Sequence, residues 1–401
     1  MKKRRVTSRR QFLKEGAAGI AGTALLTACR ETEHIGEPRP RTGRSVVRTL
    51  GRTGLELPVV SMGSCYAINL VRTALDEGIV YIHTSPGYGE QNHERILGGV
   101  FAGRDRDSFV VATSPDLPYE FTWRRGRSSG VGLRADPELI VDSLAGSLAR
   151  LRVDAVDIYY LCSLAGREAV LYEPYLEAFD RVKRAGMARF VGVGTHENEP
   201  EVIRAAAESG VWDVVLTAYN FRQTHREEVR DAIAQAAGAG LGVVAMKTQA
   251  GVWWDSARTR MINQKAALKW VLQDENVHTS IPAISNYDEL IEDLSVMEDL
   301  AFTPEERRDL ELGYRLALAG CFCQQCARCV PQCPAGLDIP RWMRASMYAF
   351  GHGQLTRARE TLGGSGPPSC ADCSRCEVEC SLGLDIRSRS LELAGLLDIR
   401  A

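Results

Sequence analysis

"GIVYIHTSPGYGEQNHERILG", residues 78–98, changes its periodicity within a single line. Ile79–Ile82 is an apolar run of the length a buried strand takes. Pro86 and Gly87 break it, and "EQNHERIL" (90–97) resumes with helical spacing. Strand, turn and helix in that order form the repeating unit of a parallel sheet. The unit recurs along the chain. The candidate strands are PVVSMG (58–63), IVYIHT (79–84), FVVATS (109–114), VDIYYLCS (156–163), FVGVGTH (190–196), DVVLTAYN (213–220), LGVVAMK (241–247) and HTSIPA (278–283). Eight such strands, each followed by helix-like sequence, predict an α/β fold of the (β/α)8 TIM-barrel type. Catalytic groups of such barrels stand just past the strand ends, which is where Tyr88 and His83 fall. No Gly-x-Gly-x-x-Gly follows an early strand, which argues against a doubly wound dinucleotide domain.

The 401 residues, 45% apolar and 25% charged, suffice for a barrel-sized core and a small appendage. A formal charge of −2 provides no broad basic field, so nucleic acid is not an expected partner. No apolar run is long enough to span a bilayer. The first 29 residues, "MKKRRVTSRRQFLKEGAAGIAGTALLTAC", have a basic start, a short Ala/Gly-rich stretch and a small-residue end, the pattern of a targeting segment. "SRRQFLK" resembles the twin-arginine export signal, with Arg9 and Arg10 as the pair. "LTAC" resembles a bacterial lipobox, which implies a lipid on Cys29 and a membrane surface as partner; ordinary cleavage nearby is the alternative. Residues 30–45, rich in Arg, Glu, Pro and Gly, read as a tether, residues 46–317 as the barrel and residues 318–401 as a second domain.

Over residues 46–315 the chain resembles the aldo/keto reductases. "RTLGRTGLELPVVSMG" is similar to that family's opening hairpin and first strand. "FVGVGTHENEPEVIRAAAESGVWDVVLTAYNF" is similar to its fifth and sixth strands, and "AALKWVLQDENVHTSIPAISNYDELIEDL" to its late helix, eighth strand and cofactor segment. The resemblance implies a catalytic Asp, Tyr, Lys and His. Tyr88 matches, whereas His83, Ser114 and Cys162 stand at the Asp, Lys and His positions. A phenol needs a neighbouring cation to become a competent acid at neutral pH. Lys247, at the end of the seventh strand, and His83 are the candidates to supply it; a solvated loop lysine and a structural histidine are the plainer readings. Trp253 and Trp254 follow the same strand and could wall a pocket.

The resemblance also implies a nicotinamide dinucleotide, NAD(P), with Thr195 and His196 toward the nicotinamide amide. Ser285 and Asn286 would meet the phosphate at a helix start. Ala283 replaces the usual Gly, and no Lys or Arg stands ready for a 2′-phosphate. An alternative reading gathers Cys65, His83, Cys162 and His196 around a soft metal such as zinc.

Cys323-x2-Cys326-x2-Cys329-x3-Cys333-Pro334 has the spacing of a ferredoxin [4Fe–4S] run, and Cys370-x2-Cys373-x2-Cys376-x3-Cys380 repeats it. The tails repeat too, as "GLDIP" and "GLDIR". Disulfides and zinc are the alternatives, but doubled three-plus-one spacing suits neither. The analogy with ferredoxins implies that the fourth Cys of each run ligates the other cluster: Cys323, Cys326 and Cys329 with Cys380, and Cys370, Cys373 and Cys376 with Cys333. Cys321 is left over. Certain aldo/keto reductases carry such a C-terminal dicluster extension. The expectation is therefore an exported oxidoreductase with two [4Fe–4S] clusters, a small carbonyl or alcohol substrate and a periplasmic or membrane redox partner. The competing classes are a non-enzymatic electron-transfer or docking lipoprotein, and a lyase or hydrolase using His83 and Tyr88.

Overall fold

Seven parallel strands run in the order of the chain in the computed structural model: β3 (Tyr81–His83), β4 (Val110–Thr113), β5 (Val156–Leu161), β6 (Ala188–Thr195), β7 (Val214–Ala218), β8 (Gly242–Met246) and β9 (Thr279–Ser280). The hairpin β1 (Val47–Thr49) and β2 (Glu56–Pro58) precedes them. The segment after β2 closes the circle. Val60 bridges Ser280 and Met62 bridges Ile82, both in parallel, so the barrel has its eighth position without a full ladder there. The structure describes residues 45–115, 136–249, 251, 261–315, 323, 325–363, 370, 373 and 376–397. Arg9, Arg10, Cys29, Trp253, Trp254 and Cys321 lie outside them. Ser45–Ala401 is one compact unit. No helix among the described residues is long and apolar enough to cross a membrane.

Side chains alternate faces along a strand, and the alternation decides what reaches the mouth. Tyr81, Ala112, Ile158, Tyr160, Val214, Leu216, Val244 and Met246 fill the barrel interior, with the Tyr81 and Tyr160 hydroxyls 3.1 Å apart. The next residues of the same parity, His83, Ser114, Cys162 and His196, line the mouth. The opposite parity packs outward against the helices, as Val111, Tyr159 and Val215 do. Glycine is required where the interior is tightest: a Cβ on Gly192 would stand 2.6 Å from the Tyr160 ring.

The C-terminal region has its own apolar core, built from Ile339, Trp342, Met343, Leu362, Leu384, Ile386 and Leu393. The repeated "GLDI" explains itself here. Gly336 and Gly383 take left-handed φ values of 65° and 70°. Asp338 and Asp385 then cap the helices Ile339–Ser346 and Ile386–Leu396 by accepting from the Arg341 and Ser388 amides. The first of these helices continues into a π-helical turn, Met347–Gly351, that carries Tyr348.

Candidate active site

A cavity of about 850 Å3 lies over the barrel mouth and is walled by both parts of the unit. From the barrel come His83, Tyr88, Cys162, His196 and Lys247; from the C-terminal region come Cys323, Arg344, Tyr348, His352 and Arg357. Tyr88, His83 and Lys247 therefore share one site. His196, Ser285 and Asn286 also line it.

Thr195 does not. It has the outward parity, is fully buried, and its hydroxyl is engaged with the Leu164 and Glu197 carbonyls at 2.7 and 2.6 Å. The expected nicotinamide contact is thus a structural hydroxyl. Lys247 has outward parity as well, one residue past inward-facing Met246. A left-handed backbone (φ 58°) at Lys247 breaks the alternation and turns its side chain into the cavity.

The pairing of groups differs from the expectation. Lys247 Nζ hydrogen-bonds the hydroxyl of Tyr348, not of Tyr88, and lies 4.5 Å from the Tyr348 ring centroid. Tyr88 is covered instead by the Arg357 guanidinium, 4.2 Å from its ring centroid. Arg357 also donates to Tyr66 Oη at 2.9 Å. Burial pushes the Tyr88 phenol up to about 12, with Arg357 opposing. Burial brings His83 down to about 3, Arg357 and His93 adding to it, so this imidazole is neutral and supplies no cation. Its Nε2 and the Nδ1 of His196 are buried with no hydrogen-bond partner. Burial also raises Cys162 to about 12, leaving a neutral thiol. Tyr348, Arg344 and Arg357 were not legible as site residues, because no local motif marks them.

Among the described residues, no three His, Cys, Asp or Glu side chains gather closely enough to hold a single metal ion. The zinc reading of Cys65, His83, Cys162 and His196 is therefore not met, and Cys65 Sγ turns toward the Ala67 carbonyl. A cluster spreads its ligands wider than one ion does. Cys380 and Cys326 each lie within the electrostatic reach of Cys323 and Cys329, and Cys326 Sγ is 3.6 Å from Ser381 Oγ. Cys333 lines a second, smaller cavity with Cys370, Cys373 and Cys376. Burial and neighbouring thiols push Cys323 and Cys370 up, so a positive metal centre would be what draws these two thiols to the thiolate. The Gln325 and Leu382 amides donate to Cys323 and Cys380 Sγ at 3.3 and 3.4 Å, as bonds to thiolate sulfur would. This donor set fits two iron–sulfur clusters.

The expected dinucleotide site fits less well. The Ser285 amide donates to the Glu289 carboxylate at 2.6 Å, and Asn286 Oδ1 caps its own helix by accepting from the Glu289 amide at 2.9 Å. Ser285 Oγ accepts from Gln354 of the C-terminal region at 3.1 Å. Asp288, Glu289, Glu292 and Asp293 line the same wall. Donors that would hold a diphosphate are occupied, and acidic side chains face its place, so these residues do not fit a dinucleotide as they stand.

A barrel with Tyr88 at its mouth, joined to a doubled cysteine repeat, is an oxidoreductase architecture. Residues 51–266 match the model of the aldo/keto reductase family, and residues 322–387 match a 4Fe-4S dicluster domain. The chain belongs to the aldo/keto reductase family. It is similar to an L-glyceraldehyde 3-phosphate reductase of Escherichia coli O157:H7, 24% identical over 335 residues covering 68% of this chain and 93% of the relative. It is also similar to an L-galactose dehydrogenase of Arabidopsis thaliana, 27% identical over 215 residues, 50% of this chain and 64% of the relative. The holo form of an aldo-keto reductase from Bacillus halodurans, AKR11C1, shares the fold with a TM-score of 0.53 at 22% identity, covering 67% of this chain and 96% of that structure.

Proposed function

We propose that the cavity interconverts a small carbonyl compound and its alcohol, with electrons passing through the dicluster domain and not through a nicotinamide. One observation carries this reading: a single cavity is walled by the barrel strand ends and by the cluster region, including the candidate ligand Cys323. When bound, each [4Fe–4S] cluster exchanges one electron, so the pair can supply the two that carbonyl reduction needs. The rest is the work of the chain. Arg357 and Lys247 favour a developing oxyanion, His83 Nε2 and His196 Nδ1 offer unused polar positions, and the C-terminal region excludes water by closing over the mouth. An external one-electron carrier completes the balance: carbonyl, two electrons and two protons give the alcohol.

The same reading extends to location. The likeness of Arg9–Lys14 to a twin-arginine signal and of Leu26–Cys29 to a lipobox supports export of the folded protein and attachment to a membrane surface. A periplasmic or membrane carrier is then the redox partner. Export of a folded chain suits clusters assembled before translocation.

The test is anaerobic: reduce the clusters with dithionite, remove excess reductant, and add a panel of aldehydes, ketones and oxo acids. Cluster bleaching should reverse with one alcohol formed per two electrons. If no compound reoxidises the clusters while ligands leave the cavity unchanged, the protein is an electron carrier with a vestigial pocket.

A further inference from the structure

Two irregularities meet at one hydrogen bond. Lys247 adopts a left-handed backbone that a non-glycine residue rarely takes, and its side chain lines the cavity. Tyr348 sits on a π-helical turn, a distortion that frequently marks functional sites. The two side chains, one from the barrel and one from the cluster region, are hydrogen-bonded. The Arg357 guanidinium stands 5.3 Å from the Tyr348 ring centroid and covers Tyr88 with its other contact.

We propose that Tyr348 and Lys247 are the acid–base pair of the cavity, the cluster region supplying the phenol and the barrel supplying the ammonium. This rests on the oxidoreductase reading above. The groups facing Tyr348 are Lys247 from the end of β8, Tyr88 from the turn after β3, Arg357 from the helix Leu355–Leu362, Arg344 from the helix Ile339–Ser346, and His352, whose ring is 6.2 Å away. Among the described residues neither Lys247 nor Arg357 forms an ion pair with a carboxylate, and the Tyr348 hydroxyl is the group in hydrogen-bond contact with Lys247 Nζ. Burial opposes that ionisation, but Lys247, Arg357 and Arg344 together outweigh it and bring Tyr348 down to about 7. His352, brought down to about 4 by burial and the same cations, adds no charge. Tyr88 has Arg357 but no lysine, and it stays protonated.

In reduction, two electrons arrive from the external carrier through the clusters, the Tyr348 O–H bond breaks and its proton passes to the substrate oxygen, and a second proton, taken from solvent, forms the C–H bond of the alcohol. Lys247 and Arg357 hold the phenolate until water returns the proton. Oxidation runs the same transfer backwards.

The test uses the full, cluster-loaded chain and the variants Tyr348→Phe, Lys247→Met and Tyr88→Phe. Ultraviolet difference titration at constant redox state should show one tyrosine ionising near neutral pH. That step should vanish in Tyr348→Phe, move up in Lys247→Met and survive in Tyr88→Phe. Turnover of a substrate accepted by the wild type should fall about 10²-fold in Tyr348→Phe. Iron content and circular dichroism control for folding, and Lys247→Arg, which keeps the charge, should retain the low titration. Loss of the step in Tyr88→Phe, or wild-type turnover in Tyr348→Phe, would overturn the assignment. A wild type that turns over nothing, with the Tyr348 step present, sinks the oxidoreductase reading instead, and the pair's catalytic role with it.

Discussion

The guanidinium of Arg357 lies 4.2 Å from the ring centroid of Tyr88 and donates to the hydroxyl of Tyr66 at 2.9 Å. One side chain of the cluster region thus joins the tyrosine of the strand–turn–helix unit to the tyrosine before the first barrel helix. Glu360, one turn further along, accepts from Tyr66 Oη at 3.3 Å and from the Glu90 amide at 2.8 Å. These contacts hold the cluster region against the mouth of the barrel.

Arg357→Met keeps the length of the side chain and removes its charge. It should cost roughly 2 kcal/mol through the lost cation–π and hydrogen-bond contacts. Thermal melting of the cluster-loaded protein should show a lower Tm. An unchanged Tm would mean the contact adds nothing to closure.

The pH dependence has a definite sign. Tyr348 titrates at about 7, burial being outweighed by Lys247 and the two arginines, and must carry its proton to donate it. Reduction should therefore be fastest below about pH 7 and fall as pH rises through that value. Oxidation needs the phenolate and should fall as pH drops through the same value. Lys247→Met should move both breaks upward, and initial rates across pH in each direction decide the matter.

The cross-paired cysteines make a specific prediction. Cys380→Ser should damage the cluster of Cys323, Cys326 and Cys329, although it lies in the other repeat. Cys373→Ser should remove roughly one cluster and loosen the small core around it, because so short a segment leans on its metal. Iron and sulfide analysis with paramagnetic resonance of the reduced protein separates the two. Damage to the Cys370 cluster by Cys380→Ser would reverse the pairing.

With the Ser285 amide engaged by Glu289 and the helix start capped by Asn286, neither NADH nor NADPH should bind saturably at micromolar protein. Nicotinamide fluorescence checks this directly. Tight binding of either would show that this wall rearranges, and would return the electrons to a hydride route.

Export should depend on Arg9 and Arg10, so the double Arg→Lys change should leave the precursor in the cytoplasm. Cys29→Ala should release soluble protein from the membrane fraction. Normal membrane recovery of either variant would count against the corresponding signal.

The barrel was legible because strand periodicity is local. Each of the eight apolar segments announces itself within a few residues, and their parity tells which side chains reach the mouth, Lys247 with its left-handed backbone excepted. His83, Ser114, Cys162 and His196 follow from that rule, while Thr195, assigned by resemblance against its parity, points outward into hydrogen bonds of its own. The doubled cysteine spacing and the repeated "GLDI" were equally local, since glycine, cap and helix occupy consecutive residues.

What the sequence by itself determined is therefore the strand positions, the cysteine repeat and the tyrosine at the mouth: features set by neighbours along the chain. The tertiary structure alone decided which tyrosine meets the lysine. Tyr348 and Lys247 stand 101 residues apart, and their hydrogen bond exists only because the cluster region docks on the barrel. Docking also fixes the charges. Burial neutralises His83 and raises Tyr88, while three cations drawn from separate elements stabilise the phenolate of Tyr348. Desolvation and Coulomb energy depend on distances through space, which no window of sequence contains.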